Sequence, residues 1–383
     1  MLEETYFPGF KQQFIETEPG IRINTWVGGH GDTAVLLLHG HPETHLIWRF
    51  LAPKLAEQYT VVMTDLRGYG DSSKPVGLPD HSNYSKRVMG EDHFMVMSQL
   101  GFEKFHLIGH DRGARVCHRM VVDKPERILT CTMMDILPTF EMYADTNEEF
   151  ATKYYHWFFY IQPTGFPETL LGAAPDYFIR FNLERKVGPT ARANFTADVL
   201  QEYIRCFADP ATIHGISEDY RASATIDREF DKVDMANKVI IKTPLLVMWG
   251  KNGVVGKLWD VLAGWRAKAN QVVAESLDIG TVINKKMIAA SHIYQMMLDA
   301  DVSNVKCLTF ANADVAEFTV KAGSKITKHP VKDLGLPKGA TIGGLIRQGE
   351  GVVVMGNTLI QPGDHVVVFC LNMMIKKIEK YFN

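Results

Sequence analysis

Gly109-His110-Asp111-Arg112-Gly113 follows an apolar run and precedes a helical pattern. Glycines at both ends permit a tight strand-to-helix bend that lifts the central side chain above a sheet. That side chain is a carboxylate, and a carboxylate placed there attacks saturated carbon to give an ester that water then hydrolyses. The plainer reading is an Asp capping the first turn of a helix. Arg112 and Arg115 stand three apart, on one helix face. Beside the carboxylate they would keep it ionised and clamp an anionic substrate, a task suited to the planar guanidinium fork. Their plainer reading is a pair of surface ion pairs. Asp135 ends another apolar run, where a carboxylate can orient a histidine in the chain order nucleophile, acid, base. Its plainer reading is an Asp opening the loop before Pro138.

These residues need a sheet beneath them. Short apolar runs at 34–38, 60–64, 105–109, 129–134, 244–249 and 271–277 read as buried strands, and helix-like stretches between them predict a parallel α/β sheet. From about 140 to 230 the chain is aromatic and helix-forming without clear strands, which predicts a helical cap. After Gly280 the texture changes. Ile288, Ala289, Ile293, Met296 and Met297 recur at helical spacing and predict a helix over 282–299. Short strands and glycine turns follow, then a terminal helix with Lys376, Lys377 and Lys380 near its end. The expected division is therefore residues 1–280 and 281–383, without a polar linker between them.

The composition is that of an ordinary globular protein, 46% hydrophobic and 22% charged with net charge −3, which argues against nucleic-acid binding. No apolar run reaches the length of a membrane span, and Met1-Leu2-Glu3-Glu4 is not a signal peptide. The five scattered cysteines show no metal or redox spacing and suit a reducing cytoplasm. No G-x-G-x-x-G follows a strand, so no nucleotide cofactor is expected, and no metal site either.

Residues 1 to about 280 resemble the fluoroacetate (haloacetate) dehalogenases of the α/β-hydrolase superfamily. The resemblance runs through His39-Gly40-His41-Pro42-Glu43-Thr44-His45, Asp65-Leu66-Arg67-Gly68-Tyr69-Gly70, the Asp-Arg-x-x-Arg elbow and the cap. It implies Asp111 as nucleophile, Asp135 as orienting acid, and Arg112 with Arg115 on the carboxylate of a 2-haloacid. It also implies a halide held by His156, Trp157 and Tyr220; core aromatics are their plainer reading. His41 stands where the resemblance leads one to expect an aromatic residue.

Residues 281–383 resemble the C-terminal part of a Trk-type potassium-uptake regulatory subunit, ending in an RCK C-terminal domain. This rests on Asn284-Lys285-Lys286-Met287-Ile288-Ala289-Ala290, Ala316-Glu317-Phe318-Thr319-Val320, Gly335-Leu336-Pro337 and Ile360-Gln361-Pro362-Gly363-Asp364-His365-Val366-Val367-Val368. It implies a small α+β domain, pairing into a homodimer, a regulatory ligand, and a potassium-transporter partner at the inner face of a membrane. No ligand residue is nominated there; Gly363-Asp364 reads as a turn, and His329 and His365 as loop or packing residues.

In the dehalogenase family the last strand leads into a Gly-His pair whose histidine activates water. Here Gly280 is followed by Thr281, which cannot serve as a base near neutral pH. His292 is remote in sequence, and His110 is expected to point away from the nucleophile. Three readings follow: a dehalogenase-like enzyme impaired in ester hydrolysis, a potassium-transport regulatory module carrying an inert hydrolase, or a non-selected join of two coding sequences.

Overall fold

The computed structural model describes residues 2–185, 194–277, 302–308, 313–371 and 375–382. The chain divides into two compact units, Met1–Asn284 and Lys285–Asn383.

The first unit is built on an eight-stranded sheet. Its strands are β1 (Lys11–Glu18), β2 (Ile21–Gly28), β3 (Ala34–Leu38), β4 (Thr60–Thr64), β5 (Phe105–His110), β6 (Ile128–Met134), β7 (Leu245–Gly250) and β8 (Val272–Leu277). The spatial order is β1-β2-β4-β3-β5-β6-β7-β8. The first two strands pair antiparallel, and β2 joins β4 antiparallel. From β4 through β8 all pairing is parallel. Every residue of β3 and β4 is buried, because a parallel sheet of this kind is covered on both faces. The helix Arg112–Asp123 packs on β5 and β6 and against the helix Lys86–Gln99.

The apolar runs appear as strands with bounds moved by a residue at most, whereas β1 and β2 were not legible as strands. Lys11-Gln12-Gln13 opens β1, and most of that strand faces solvent, so the hydrophobic signal is weak there. Between β6 and β7 the described residues form helices from Thr139 to Ala236 and no strand, which is the expected cap. The outermost strand, β8, is mostly half-buried or exposed, with Val273 at 62%.

The second unit is an antiparallel sheet ordered β12-β11-β13-β10-β9. Its strands are β9 (Val302–Leu308), β10 (Ala313–Thr319), β11 (Ala340–Arg347), β12 (Glu350–Val352) and β13 (His365–Leu371). Ala316, Phe318, Val366, Val368 and Ile378 are buried in its core, and the Phe318 and Phe382 rings stack at 4.2 Å. Gly363 turns with φ 88°, a conformation costly for any residue with a Cβ. Asp364 does more than make a turn: fully buried, it takes two hydrogen bonds from Arg347 at 2.8 and 2.7 Å and one from the Gln361 amide. His365 lies 3.0 Å from Glu317, so it is a paired surface residue. The expected helix over 282–299 lies outside the described residues, as do Gly280 and Thr281. No helix among the described residues is long and apolar enough to cross a membrane.

Candidate active site

Asp111 sits between β5 and the Arg112–Asp123 helix with φ 47° and ψ −113°. A side-chain-bearing residue is strained there, and such strain persists only where its surroundings hold it. They do so through close packing. A Cβ on Gly109 would lie 2.5 Å from Cys117 Sγ, and one on Gly113 would lie 2.4 Å from the carbonyl oxygens of Leu38 and His39. The Asp111 amide donates to Met134 O at 3.1 Å. Its carboxylate makes no helix-capping hydrogen bond, so it is not an N-cap. Instead Oδ1 accepts the His41 backbone N–H at 2.9 Å. Burial would raise its pKa, but His110, Arg112, the His41 amide and Arg115 outweigh burial and keep it ionised.

Neither arginine is a surface residue. Arg112 is fully buried; Nε donates to Asp219 Oδ2 at 2.8 Å, and Nη2 reaches Asp219 Oδ1 at 2.9 Å and Ser223 Oγ at 2.6 Å. Its Nη1 is buried without a hydrogen-bond partner among the described residues. The guanidinium lies 4.0 Å from the Tyr220 ring centroid. Asp219 also receives Lys86 Nζ and, at 2.7 Å, the Tyr69 hydroxyl. Sequence reading did not find this hub, because three elements far apart in the chain converge on it. Arg115 differs. Its Nη1 donates to Leu137 O and Thr139 Oγ1, its Nη2 to Met142 Sδ, and its Nε is buried and unpaired. Among the described residues no carboxylate is within ion-pair distance of it. Burial, then the neighbouring Arg112 charge, pulls its pKa down to about 10. A buried cation with no carboxylate at ion-pair distance among the described residues is suited to hold an anion.

His156 and Trp157 lie on the cap helix Tyr155–Tyr160, and Tyr220 on the helix Pro210–Ala224. Their rings converge: Trp157 to Tyr220 is 6.2 Å and His156 to Tyr220 is 6.0 Å between centroids. Trp157 Nε1 and Tyr220 Oη are both buried and have no hydrogen-bond partner among the described residues. Trp26 and Trp48 Nε1 share that condition elsewhere in the core, so what sets this pair apart is its place beside Arg115. Arg115 sits 4.6 Å from the Trp157 ring centroid, so orphan donors and orphan cation share one place. His41 completes the wall, 5.7 Å from Tyr220 between ring centroids, with Nε2 3.2 Å from Tyr160 Oη. Burial drives its pKa down to about 3, so it stands among these rings uncharged.

Asp135 follows β6 with φ 58°, donates its amide to Met248 O at 2.7 Å and is 8% exposed. Burial pushes its pKa up to about 6, against the pull of His110 and the Gly250 amide. Among the described residues no histidine is hydrogen-bonded to it. The two histidine-free positions that matter most, Gly280 and Thr281, and also His292, are not among the described residues. His110, expected to point away from the nucleophile, is directed at Glu43. Its Nδ1 lies 3.1 Å from Glu43 Oε2, and although burial opposes its charge, Glu43 raises its pKa to about 9. Glu43 too was missed as a partner, since it stands in the loop after β3. No trio of His, Cys, Asp or Glu placed to hold a metal ion occurs among the described residues.

Comparison with known proteins identifies the families of the two units. The alpha/beta hydrolase fold family matches residues 33–279, and the TrkA-C domain family matches residues 315–383. Fluoroacetate dehalogenase from Burkholderia sp is 43% identical over 274 residues, covering 72% of this chain and 88% of that protein. Soluble epoxide hydrolase from Corynebacterium sp. (strain C12) is 29% identical over 269 residues, covering 69% and 87%. A crystal structure described as an alpha/beta hydrolase from Nostoc sp PCC 7120 is 52% identical with a TM-score of 0.68, covering 71% of this chain and 91% of that one.

Proposed function

Because the chain belongs to the alpha/beta hydrolase fold family and is related to fluoroacetate dehalogenase and to epoxide hydrolases, we propose that it displaces halide from a 2-haloacid with Asp111 as nucleophile. The substrate carboxylate binds Arg115 and Nη1 of Arg112, which has no hydrogen-bond partner among the described residues. An Asp111 oxygen attacks the halogen-bearing carbon, the carbon–halogen bond breaks, and halide leaves into Trp157 Nε1–H, Tyr220 Oη–H and the His156 imidazole. Fluoride is a poor leaving group, and fixed donors where its charge develops lower the barrier. One observation carries this reading: the buried Trp157 Nε1 and Tyr220 Oη, without a hydrogen-bond partner among the described residues, lie beside the buried Arg112 and Arg115 that keep Asp111 ionised. Ring opening of an epoxide would leave the arginine pair unexplained, and Tyr160 Oη is already engaged with His41.

Water must then cleave the ester, and Asp135 is the acid that would orient a base. With threonine following Gly280, the second half-reaction is slow at neutral pH. The test is halide released per mole of purified protein with fluoroacetate and bromoacetate, with intact mass on the same samples. A first equivalent of halide with a carboxymethyl adduct on Asp111 is expected. No halide and no adduct would refute the reading.

The TrkA-C match favours a second role for the C-terminal unit: a homodimeric module that binds a regulatory ligand and joins a potassium transporter at the cytoplasmic face. Sedimentation of the full chain tests the dimer, and a monomer at all concentrations would refute it. An uninterrupted junction at Gly280-Thr281 in independent isolates would argue against a non-selected join.

A further inference from the structure

A cleft of about 390 Å³ opens in the first unit, and none of its lining residues belongs to the site described above. Small-molecule sites have volumes of roughly 300–1,000 Å³. Four segments meet there: the Arg112–Asp123 helix with His118 and Val122, the helix Thr139–Ala144 with Glu141, the helix Ile226–Ala236 with Asp231, and Lys268 after the helix Val261–Arg266. Met235, Val239 and Ile240 also line it, and all three are exposed apolar residues. Exposed apolar side chains grouped in one concavity mark a binding surface.

The polar part of the cleft offers an acceptor. Asp231 is 9% exposed, and its Oδ2 accepts the Phe140 amide at 3.2 Å. Oδ1 has no hydrogen-bond partner among the described residues, yet it is not enclosed, so it opens on the cleft that Asp231 lines. The nearby cations are committed elsewhere: Lys268 Nζ to Glu141 Oε1 at 2.9 Å, and Arg119 Nη1 to Asp234 Oδ2 at 2.5 Å. Among the described residues no cation is within ion-pair distance of Asp231. A nine-tenths-buried carboxylate with an open oxygen and no cation at hand lacks a charged donor. No trio placed to hold a metal ion occurs among the described residues, and the apolar wall suits a carbon chain, so the donor that fits is organic.

We propose that this cleft binds a primary organic ammonium ion with an apolar tail, the head on Asp231 Oδ1 and the tail against Val122, Met235, Val239 and Ile240. The haloacid reading is not needed for it. The charged groups facing Asp231 are Asp227 from its own helix, Glu141, Lys268 and Arg119. Burial, then Asp227 and Glu141, pushes its pKa up to about 7 against the two cations. His118 stands edge-on to Trp265 at 5.1 Å, and burial with the neighbouring Lys268, Arg119 and Arg115 keeps it uncharged. An ammonium head favours the ionised form of Asp231, so its affinity rises as pH passes upward through about 7.

Calorimetric titration of the full chain with n-hexylammonium, hexanol and hexanoate tests this. Hexylammonium is expected to bind with a single-site isotherm, at least about tenfold more tightly than either of the others. It should also bind about tenfold more tightly at pH 8 than at pH 6. Asp231→Asn should weaken it at least about tenfold at pH 8 and remove the pH dependence. Ala267→Trp, at an exposed position lining the cleft, fills the space without touching a charge and should abolish binding. Circular dichroism checks that both variants are folded. Equal affinity for hexylammonium and hexanol would show an apolar cleft without a cation site and would overturn the assignment. So would hexylammonium binding undiminished in either variant, or no binding to the unaltered protein.

Discussion

Arg115 is a buried cation whose described partners are two neutral oxygens and a sulfur. Such a group weakens the fold while strengthening the grip on an anion. Arg115→Met, of similar volume, is therefore expected to slow adduct formation by about 100-fold while leaving the melting temperature equal or higher. Stopped reactions scored by mass, with thermal melts, check both halves; a fall in both would make Arg115 structural. Trp157→Phe removes an orphan donor and should slow fluoride release more than bromide release, because fluoride needs the hydrogen bond more. Equal slowing of the two would place Trp157 in packing alone. Asp135 carries the reverse linkage to a salt-bridged carboxylate. Its folded pKa, about 6, lies above its ordinary value, so the folded state holds the proton more tightly and stability falls as pH rises from about 4 to about 6. Above that window the penalty is roughly 2–3 kcal/mol. Asp135→Asn should thus stabilise the protein at pH 7.5 and do so much less at pH 4, measured by denaturant titration. The residue types at these positions were readable from spacing. That Arg112 is mostly occupied by Asp219, and that His110 turns toward Glu43, was not, because those partners come from other segments.

At the scale of elements, the Arg112–Asp123 helix, the Lys86–Gln99 helix and the cap helix Pro210–Ala224 meet at Asp219. Two buried cations and a buried hydroxyl converge on that one carboxylate, whose pKa is held far below the ordinary range by Arg112 and Lys86 against burial. Asp219→Asn would leave Arg112 without its ion-pair partner and Lys86 with only Asp227, 3.7 Å away, and should cost about 3–5 kcal/mol by chemical denaturation. A depressed carboxylate contributes stability present above its unfolded pKa and lost as pH falls toward its folded one. The variant's deficit should accordingly shrink in acid; a deficit independent of pH would mean that shape, not charge, is what Asp219 provides. Among the strands, β3 to β7 announced themselves as apolar runs because burial on both faces demands them, while β1 was hidden by its solvent-facing polar residues.

In the whole molecule, the two units each have their own sheet and core. All six tryptophans stand before residue 285, so their fluorescence reports the first unit only. Unfolding followed by tryptophan fluorescence and by far-ultraviolet circular dichroism should therefore give non-coincident transitions. Coincident curves would show that the units unfold as one.

The sequence by itself determined the parallel strands of the sheet, the cap, the presence of a second unit of different fold and the carboxylate at the elbow. Each depends on local periodicity, glycine placement or residue type, which are properties of neighbours along the chain. Only the tertiary structure decided which charges are already spent and which remain open. Arg112 is bound by Asp219, Arg115 lacks a carboxylate among the described residues, Trp157 and Tyr220 keep bare donors, and Glu43 meets His110. Burial sets the strength of every one of these charges, and burial is fixed by segments that are distant in sequence and adjacent in space.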